Sequence, residues 1–271
     1  MRRRPRSQLL ILGAFLLAGA TALPALAVRA AADQSTPSFP GGEYFVVGCG
    51  FSHMNNDDPI VFPGKPGASH NHTFIGNRVV DSATTPASLL GGDSTCLDVG
   101  DASAYWVPTL FAGGRAVKPL VGAGYYVRRT NGPVQAFPAG LKMIAGNQNA
   151  KRAQSLSVVG WACGGLGTPP RSPSVPSCGR DRALHLRATF PNCWNGRDVD
   201  SADHKRHVAY SVGGTCPRSH PVALPSLVLI FLYPSTGLVR PLQASGRFGA
   251  HADFVNGWDQ EQLEALVAAL N

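Results

Sequence analysis

Residues 69–74 read Ser-His-Asn-His-Thr-Phe, and a related stretch, His-Ala-Asp-Phe, occupies residues 251–254. Each stretch places two potential metal ligands two residues apart: His70 and His72 in the first, His251 and Asp253 in the second. In a β-strand this spacing directs both side chains to one face. Two such strands lying side by side would gather three imidazoles and a carboxylate. We therefore expect neighbouring strands whose polar side chains form the functional centre.

Short apolar segments, separated by glycine and proline, continue through the chain. They predict strands at residues 44–51, 104–111, 124–128, 141–145, 155–161, 184–190, 207–212 and 227–233. A polar turn at residues 234–237 is expected to close a hairpin. Many short strands without long helices between them are typical of an antiparallel β-sandwich or a jelly roll. We therefore predict an all-β fold with large loops.

Two segments depart from the strand pattern. Residues 86–90 are expected to form one short helical turn. Near the end of the chain, Asp259 is a good N-cap residue, and Gln262 stands where a capping box requires it. Hydrophobic residues then recur at helical spacing: Leu263, Leu266, Val267 and Leu270. This pattern predicts a C-terminal helix that packs on the sandwich.

The N-terminus carries the features of an export signal. Several arginines precede an apolar run at residues 9–20, and Ala-Leu-Ala at residues 25–27 matches a cleavage site. The apolar run is shorter than the roughly 20 residues that span a bilayer. We predict a signal peptide at residues 1–27, a flexible leader at 28–42 and a single β-rich domain at 43–271. The protein is then expected to be secreted, without stable membrane insertion.

Composition argues against a nucleic-acid partner. The formal net charge is +8, and four of the arginines belong to the predicted signal peptide. The remaining basic residues are scattered, whereas nucleic-acid-binding domains usually show a clustered basic surface. The sequence contains no phosphate-binding loop, dinucleotide fingerprint or nucleophile elbow. We expect a monomer that does not bind nucleic acid.

Six cysteines, none in a Cys-x-x-Cys pair, occur in the chain. The absence of that pair disfavours a zinc ribbon or a redox dithiol. Exported proteins reach an oxidising compartment in which disulfides form, so disulfides are expected here. Of the pairings that six cysteines allow, we predict the one that closes successive, non-crossing loops: Cys49–Cys96, Cys163–Cys178 and Cys193–Cys216.

The grouped histidines predict a metal centre, because imidazole is a preferred ligand of zinc and copper. We expect His70, His72 and His251 to bind a divalent metal (Zn, Cu or Ca). Asp253 would be the fourth ligand or would orient one of the histidines. Under the alternative interpretation, these histidines are hydrogen-bonding anchors for loops, and the protein has no cofactor.

A second polar cluster lies in a cystine-bounded segment between Phe190 and His207. Its acids and histidines could supply a general acid and base, and paired carboxylates beside an aromatic residue suit glycoside hydrolysis. With His72, the catalytic candidates are Asp198, Asp200, Asp203, His204 and His207. The alternative is a loop braced by Asp–Arg and Asp–His hydrogen bonds.

Aromatic residues could provide a surface on which sugar rings stack. Trp194 and Trp258 stand in polar, glycine-containing contexts that favour exposure. The candidates for substrate binding are Tyr105, Trp106, Tyr126, Trp194 and Trp258. Most of the aromatic residues of the chain are core candidates as well.

Several motifs together resemble the uncharacterised DUF1996 family. They are Asp58-Pro59-Ile60-Val61, Ser69-His70-Asn71-His72, Ser103 to Pro108, Phe190 to Trp194, Asp203 to Tyr210, Cys216-Pro217 with His220-Pro221, and His251 to Trp258. The resemblance extends over about residues 43–260. Members of this family are secreted by fungi and actinobacteria, and fungal members are often joined to carbohydrate-binding modules. The resemblance thus implies a role at extracellular polysaccharide by analogy, without a settled activity.

Together these observations predict a secreted protein that acts on extracellular polysaccharide or cell-wall glycan. The expected reaction is cleavage of glycosidic bonds, by hydrolysis or elimination, in a cleft lined by histidine and aspartate. A metal-dependent oxidative reaction is an alternative chemistry. A protein of another class, a non-catalytic carbohydrate-binding or wall-structural protein, would use the same residues as loop anchors.

Overall fold

Two five-stranded antiparallel sheets build the fold of this computed structural model, which describes residues 43–90 and 92–271. The first sheet contains, in spatial order, β1 Tyr44–Cys49, β7 Val121–Val127, β14 Ser226–Tyr233, β10 Leu184–Thr189 and β9 Val159–Cys163. The second sheet contains β2 Phe51–Asn55, β3 His72–Gly76, β4 Ala104–Pro108, β16 His251–Val255 and β8 Lys142–Gly146. The predicted all-β fold is confirmed.

Two small sheets and two helices complete the described elements. One small sheet contains β12 Val208–Ala209, β11 Cys193–Trp194 and β13 Val222–Ala223. The other contains β15 Leu242–Gln243, β5 Leu110–Ala112 and β6 Arg115–Ala116. The helices are α1 Pro86–Leu89 and α2 Gln260–Ala268.

One hydrophobic core lies between the two five-stranded sheets. Alternate residues of β14, including Leu229 and Phe231, contribute to it from the first sheet. Tyr105 of β4 and Phe254 of β16 contribute from the second sheet. This alternation is the period of two expected of strands with one face in a core, and the arrangement is that of a β-sandwich.

The structure differs from the sequence prediction at two turns. The strand predicted at residues 44–51 divides at Gly50, so that β1 belongs to the first sheet and β2 to the second. Residues 234–237 do not close a hairpin, because β14 is followed by β15, which pairs with β5. A turn motif predicts a change of direction but does not choose the partner of the next strand.

The predicted C-terminal helix is α2, and Asp259 is its N-cap, accepting a hydrogen bond from the backbone N of Gln262 at 2.9 Å. The side chain of Gln262 donates to Asp98 Oδ1 at 2.7 Å rather than returning to the cap. The capping box is therefore half formed. The short helical turn predicted at residues 86–90 is α1.

All three predicted disulfides are present: Cys49–Cys96, Cys163–Cys178 and Cys193–Cys216. The signal peptide predicted at residues 1–27 and the leader at 28–42 lie outside the described residues. The chain divides into two units, Met1–Gln34 and Ser35–Asn271, and the architecture above belongs to the second. Within the part of the chain that the structure describes, no helix is long and apolar enough to cross a membrane.

Candidate metal centre

The polar motifs of β3 and β16 lie on the outer face of the second sheet. On β16, Ala252 and Phe254 point into the core between the sheets, so His251 and Asp253 point to the opposite face. Both are only 1 % exposed, because loops cover this face. A smaller hydrophobic cluster lies on the same face and contains Ile60, Phe74, Trp106 and Val255.

The expectation that the two histidine-bearing strands are neighbours is wrong, since β4 lies between them. His72 pairs with Pro108 of β4, and Asp253 of β16 pairs with Trp106, two residues earlier on β4. His72 and His251 therefore lie in one row across the sheet, on either side of Pro108. Their side chains meet above that strand, with the two Nε2 atoms 3.3 Å apart.

Backbone carbonyl groups determine which nitrogen of each ring carries the proton. His72 Nδ1 lies 3.0 Å from the carbonyl oxygen of Asp57, and His251 Nδ1 lies 2.7 Å from that of Gly249. A carbonyl oxygen only accepts, so each Nδ1 donates, and each neutral ring presents a lone pair at Nε2. Two lone pairs facing each other do not form a hydrogen bond, but they can bind one cation between them.

The distances match those between ligands of a single metal ion. Two nitrogens bound to zinc at about 2.05 Å and at a tetrahedral angle are separated by about 3.3 Å, which is the observed distance between His72 Nε2 and His251 Nε2. Asp253 Oδ2 lies 3.4 Å from His251 Nε2. One ring nitrogen from each of His70, His72 and His251 lies within 4.8 Å of the others. The structure thus brings the three predicted histidines together and places Asp253 beside one of them, His251.

Asp253 is a buried carboxylate whose two oxygens have no hydrogen-bond partner. Buried polar atoms normally have a partner, and an unpaired buried charge is costly. Burial, reinforced by repulsion from Asp58, raises the pKa of Asp253 well above its usual value. Nε2 of His70 is also buried without a partner. A divalent cation would neutralise the carboxylate and accept the free lone pairs.

The three histidines are neutral at physiological pH. Burial lowers the pKa of His70 to about 4 and that of His251 to about 3. The pKa of His72 is lowered by burial and by the neighbouring imidazoles of His251 and His70. Neutral imidazole is the form that binds metals. Three nitrogen donors suit zinc or copper, whereas calcium takes oxygen ligands.

The loop before β3 covers the site on one side. Asp58 Oδ1 accepts hydrogen bonds from the backbone N of Ile60 and Val61 at 3.0 and 2.9 Å. The resulting turn places Ile60 in the hydrophobic cluster of the outer face. Sequence reasoning did not select Asp58 as a site residue. In the sequence, Asp58 stands directly before a turn and an apolar pair. This pattern predicts only that the aspartate caps the turn.

A cleft of about 180 Å³ opens onto the site. His251 and Asp253 line it, together with three consecutive residues: Asp203, His204 and Lys205. Lys205 Nζ donates to the carbonyl oxygen of Gly146 on β8 at 2.5 Å. Lys205 was not predicted as a site residue, because a lysine in a polar loop is usually solvated.

The carboxylate of Asp200 orients the ring of His204, as a carboxylate often does for an acid–base histidine. Its Nδ1 lies 2.9 Å from Asp200 Oδ1, and Asp200 Oδ2 lies 3.3 Å from Lys142 Nζ. With its proton on Nδ1, the ring has Nε2 available to accept another. Its backbone has a φ of 56°, the only positive φ of a non-glycine residue in the described ranges. Such conformations cluster at functional sites.

The remaining predicted catalytic residues brace the loop. Asp198 pairs with Arg197 at 2.9 Å, and Asp203 pairs with Arg206 at 3.0 Å. His207 is buried, with Nε2 2.7 Å from the carbonyl oxygen of Lys142 and Nδ1 3.0 Å from Ser201 Oγ. Asp198 and His207 line no part of the cleft and fit the alternative interpretation of a braced loop.

Four of the five residues predicted for sugar stacking are buried in the core. Tyr105, Trp106, Tyr126 and Trp258 are at most 2 % exposed, so a sugar ring cannot stack on them. Trp258 Nε1 donates to the hydroxyl oxygen of Tyr126 at 2.8 Å inside the core. Trp194 is half-buried and donates to the carbonyl oxygen of Asp198 at 2.6 Å. The polar sequence neighbours of Trp258 did not indicate exposure, because its indole nitrogen finds a partner inside the core.

Fold and site define the chain as a disulfide-containing β-sandwich protein with a buried His₃–Asp cluster beside a cleft. The family model described as "Domain of unknown function (DUF1996)" matches residues 58–258, more than half of the chain, which therefore belongs to this family. The match includes His70, His72, His251 and Asp253. No curated protein and no solved structure matches the chain.

Proposed function

We propose that this protein is a secreted metalloenzyme that cleaves glycosidic bonds in extracellular polysaccharide. The observation that carries the proposal is the convergence of His70, His72 and His251 beside the Asp253 carboxylate, whose two oxygens no protein donor satisfies. A zinc or copper ion bound there would lie at the inner end of the cleft.

A metal ion in this position would polarise a substrate oxygen or lower the pKa of a bound water molecule. The chain itself supplies the proton transfer. Asp200 orients His204, and His204 lines the same cleft as the ligands His251 and Asp253. Its Nε2 can therefore accept a proton from an attacking group, and the ring can then pass a proton to the leaving oxygen.

The extracellular and polysaccharide parts of the proposal rest on broader features. The sequence predicts a signal peptide at residues 1–27, and three disulfides are typical of oxidising compartments. The DUF1996 resemblance adds the link to cell-wall glycans by analogy. A polymer outside the cell is the substrate class that fits an exported enzyme with an open cleft.

A second candidate function is non-catalytic glycan binding. It is favoured by the internal pairing of Asp198, Asp203 and His207, which leaves fewer groups for chemistry than the sequence predicted. Under this function the metal would hold the loops together. The two functions differ in whether His204 is required for turnover.

Metal content and turnover of matched variants test the proposal. The purified protein should contain about one equivalent of zinc or copper by mass spectrometry, and His251→Gln should lose it. His204→Gln should keep the metal and lose at least tenfold in the rate of cleavage on a polysaccharide panel, because one proton-transfer group is worth about that or more. The matched control is His185→Gln, a buried histidine whose nitrogens contact only the carbonyl groups of Gly164 and Thr168; it should keep the metal.

Thermal melting supplies a readout that does not require activity. A ligand that binds only the folded state stabilises it by about 2.7 kcal/mol at one hundred times its Kd. Chelation should therefore lower the Tm of the wild type and leave that of His251→Gln unchanged. Absence of metal in the wild type, or equal metal in both proteins, would contradict the proposal. Metal binding with full turnover by His204→Gln would remove the role of His204.

A further inference from the structure

A second depression continues the cleft along the surface of the protein. It has a volume of about 310 Å³, and it shares three lining residues with the cleft: Ile144, Asn147 and Lys205. We call the cleft the proximal section, the second depression the distal section, and the two together the groove. A groove with two adjoining sections suits several linked units of a polymer better than one small molecule.

The distal section is mainly apolar with a polar margin. Val158, Pro191 and Val208 line it, and Tyr210 exposes part of its ring there. The hydroxyl group of Tyr210 donates to the carbonyl oxygen of Thr189 at 2.9 Å, so the ring is held in place. Apolar surface beside a fixed aromatic ring is suited to the C–H faces of sugar rings.

Charge in the groove is uneven. Among the described residues, Lys205 is the only charged one that lines the distal section. In the proximal section, Asp203 is paired with Arg206, and Asp253 belongs to the metal cluster. Lys205 Nζ donates to a neutral carbonyl oxygen, and no carboxylate of the described residues lies within 4.0 Å of it. An ammonium has three donors, so two remain for a ligand.

We infer that the groove binds an acidic polysaccharide, with a uronate carboxylate paired to Lys205 at the junction of its two sections. The inference deepens the proposed function and rests on it in one respect. The metal cluster proposed there defines the end of the groove toward which the polymer runs. The carboxylate would be held next to the residues that line the proximal section, and the following sugar would lie in the distal section. Asp203 and Asp253 act on the Lys205 ammonium only from beyond ion-pair distance, so a neutral glycan would leave it without a direct ion pair.

Titration calorimetry with two matched probes tests this assignment. The probes are a linear tetragalacturonate and its carboxyl-reduced counterpart, which has the same length and linkage without charge. We expect the tetragalacturonate to bind at least tenfold more tightly, and its affinity to fall as salt is raised, because an exposed ion pair is screened. Equal affinity for the two probes, or no binding of either, would overturn the inference.

Variants locate the binding in the groove. Lys205→Met should weaken tetragalacturonate binding at least tenfold and remove most of its salt dependence, and Lys205→Arg should retain it within a few-fold. Ser155→Trp, at an exposed position of the distal section, should weaken binding of both probes by filling the space. Lys118→Met, an exposed lysine that lines neither section, is the matched control. Unchanged binding in Lys205→Met would overturn the inference.

The titrations are made with chelator-treated and with metal-supplemented protein. Tetragalacturonate binding by metal-free protein supports the groove independently of the metal proposal. A wild type that binds tetragalacturonate through Lys205 but never contains metal would contradict the proposed function and leave this inference in place. A wild type that contains metal but binds the two probes equally would contradict this inference and leave the proposed function in place.

Discussion

Two buried aspartates, Asp101 and Asp253, are treated differently by their surroundings. Asp101 accepts hydrogen bonds from the backbone N of Ser103 at 3.0 Å and from the hydroxyl group of Tyr105 at 2.7 Å. Asp253 accepts none in the described structure. Other buried polar atoms also have no partner, Asp58 Oδ2 among them. Among the described residues, Asp253 is the buried carboxylate with both oxygens unpaired, and this favours a cation at its position.

Asp101 gives a prediction of pH dependence. Burial raises its pKa to about 6, above the unfolded value of about 3.9. Between these two values the folded state binds more protons, so the contribution to the free energy of unfolding is largest below pH about 4 and is lost as pH rises through about 6. The loss amounts to about 3 kcal/mol. Asp101→Asn should remove this part of the slope in urea unfolding between pH 4 and pH 7.

Subtraction of the two unfolding curves isolates Asp101, because the other acids are common to both proteins. Asp181→Asn changes an exposed acid and serves as the matched control, which should keep the wild-type slope. Parallel pH profiles for Asp101→Asn and the wild type would show that Asp101 has the same proton affinity in the folded and unfolded states.

At the scale of the elements, the two sheets approach closely where β7 faces β3. A Cβ atom added at Gly122 of β7 would lie 2.1 Å from Cδ1 of Ile75 of β3. Glycine at this position is therefore required by the distance between the sheets. The same contact fixes β3, which carries His72, against the first sheet.

Gly122→Ala should lower the free energy of unfolding by about 1–3 kcal/mol, the usual cost of overpacking a well-packed core. Gly132→Ala is the matched control, because an added Cβ there meets no atom within 4 Å. Its effect should be small and could be stabilising through the unfolded chain. Denaturant unfolding of both variants measures the difference, and equal stability of the two would refute the packing argument.

At the scale of the whole molecule, two of the three disulfides close segments with different positions relative to the groove. Cys193–Cys216 bounds the segment that carries Asp200, His204 and Lys205. Cys163–Cys178 closes a loop after β9 of the first sheet and contributes no residue to the groove sections. Both bridges constrain the unfolded chain, but only the first restrains the loop that lines the cleft.

Replacing both cysteines of either bridge by serine should cost about 3 kcal/mol, the chain-entropy value for a loop of about 15 residues. Only the loss of Cys193–Cys216 should increase amide hydrogen exchange across residues 195–207. Denaturant unfolding and exchange mass spectrometry together separate the two effects. Equal exchange in this segment for the two variants would show that the bridge stabilises without ordering the loop.

The sequence by itself determined the local features of this protein. Alternation of polar and apolar residues predicted that His251 and Asp253 share one strand face. The N-cap and the helical spacing of Leu263 and Val267 predicted α2. The successive disulfides were predictable because each closes a loop between cysteines that are neighbours in the sequence. These features depend on spacing within a short stretch of chain, which a sequence displays directly.

The tertiary structure alone decided which strands are neighbours and which side chains reach solvent. It inserted β4 between the two histidine-bearing strands, buried Trp258 and Tyr126 in a hydrogen-bonded core, and placed Lys205 at the junction of the groove. Strand order and burial arise from contacts between residues far apart in the chain. The free energy of those contacts depends on the packing of the whole sandwich, so no local pattern contains it.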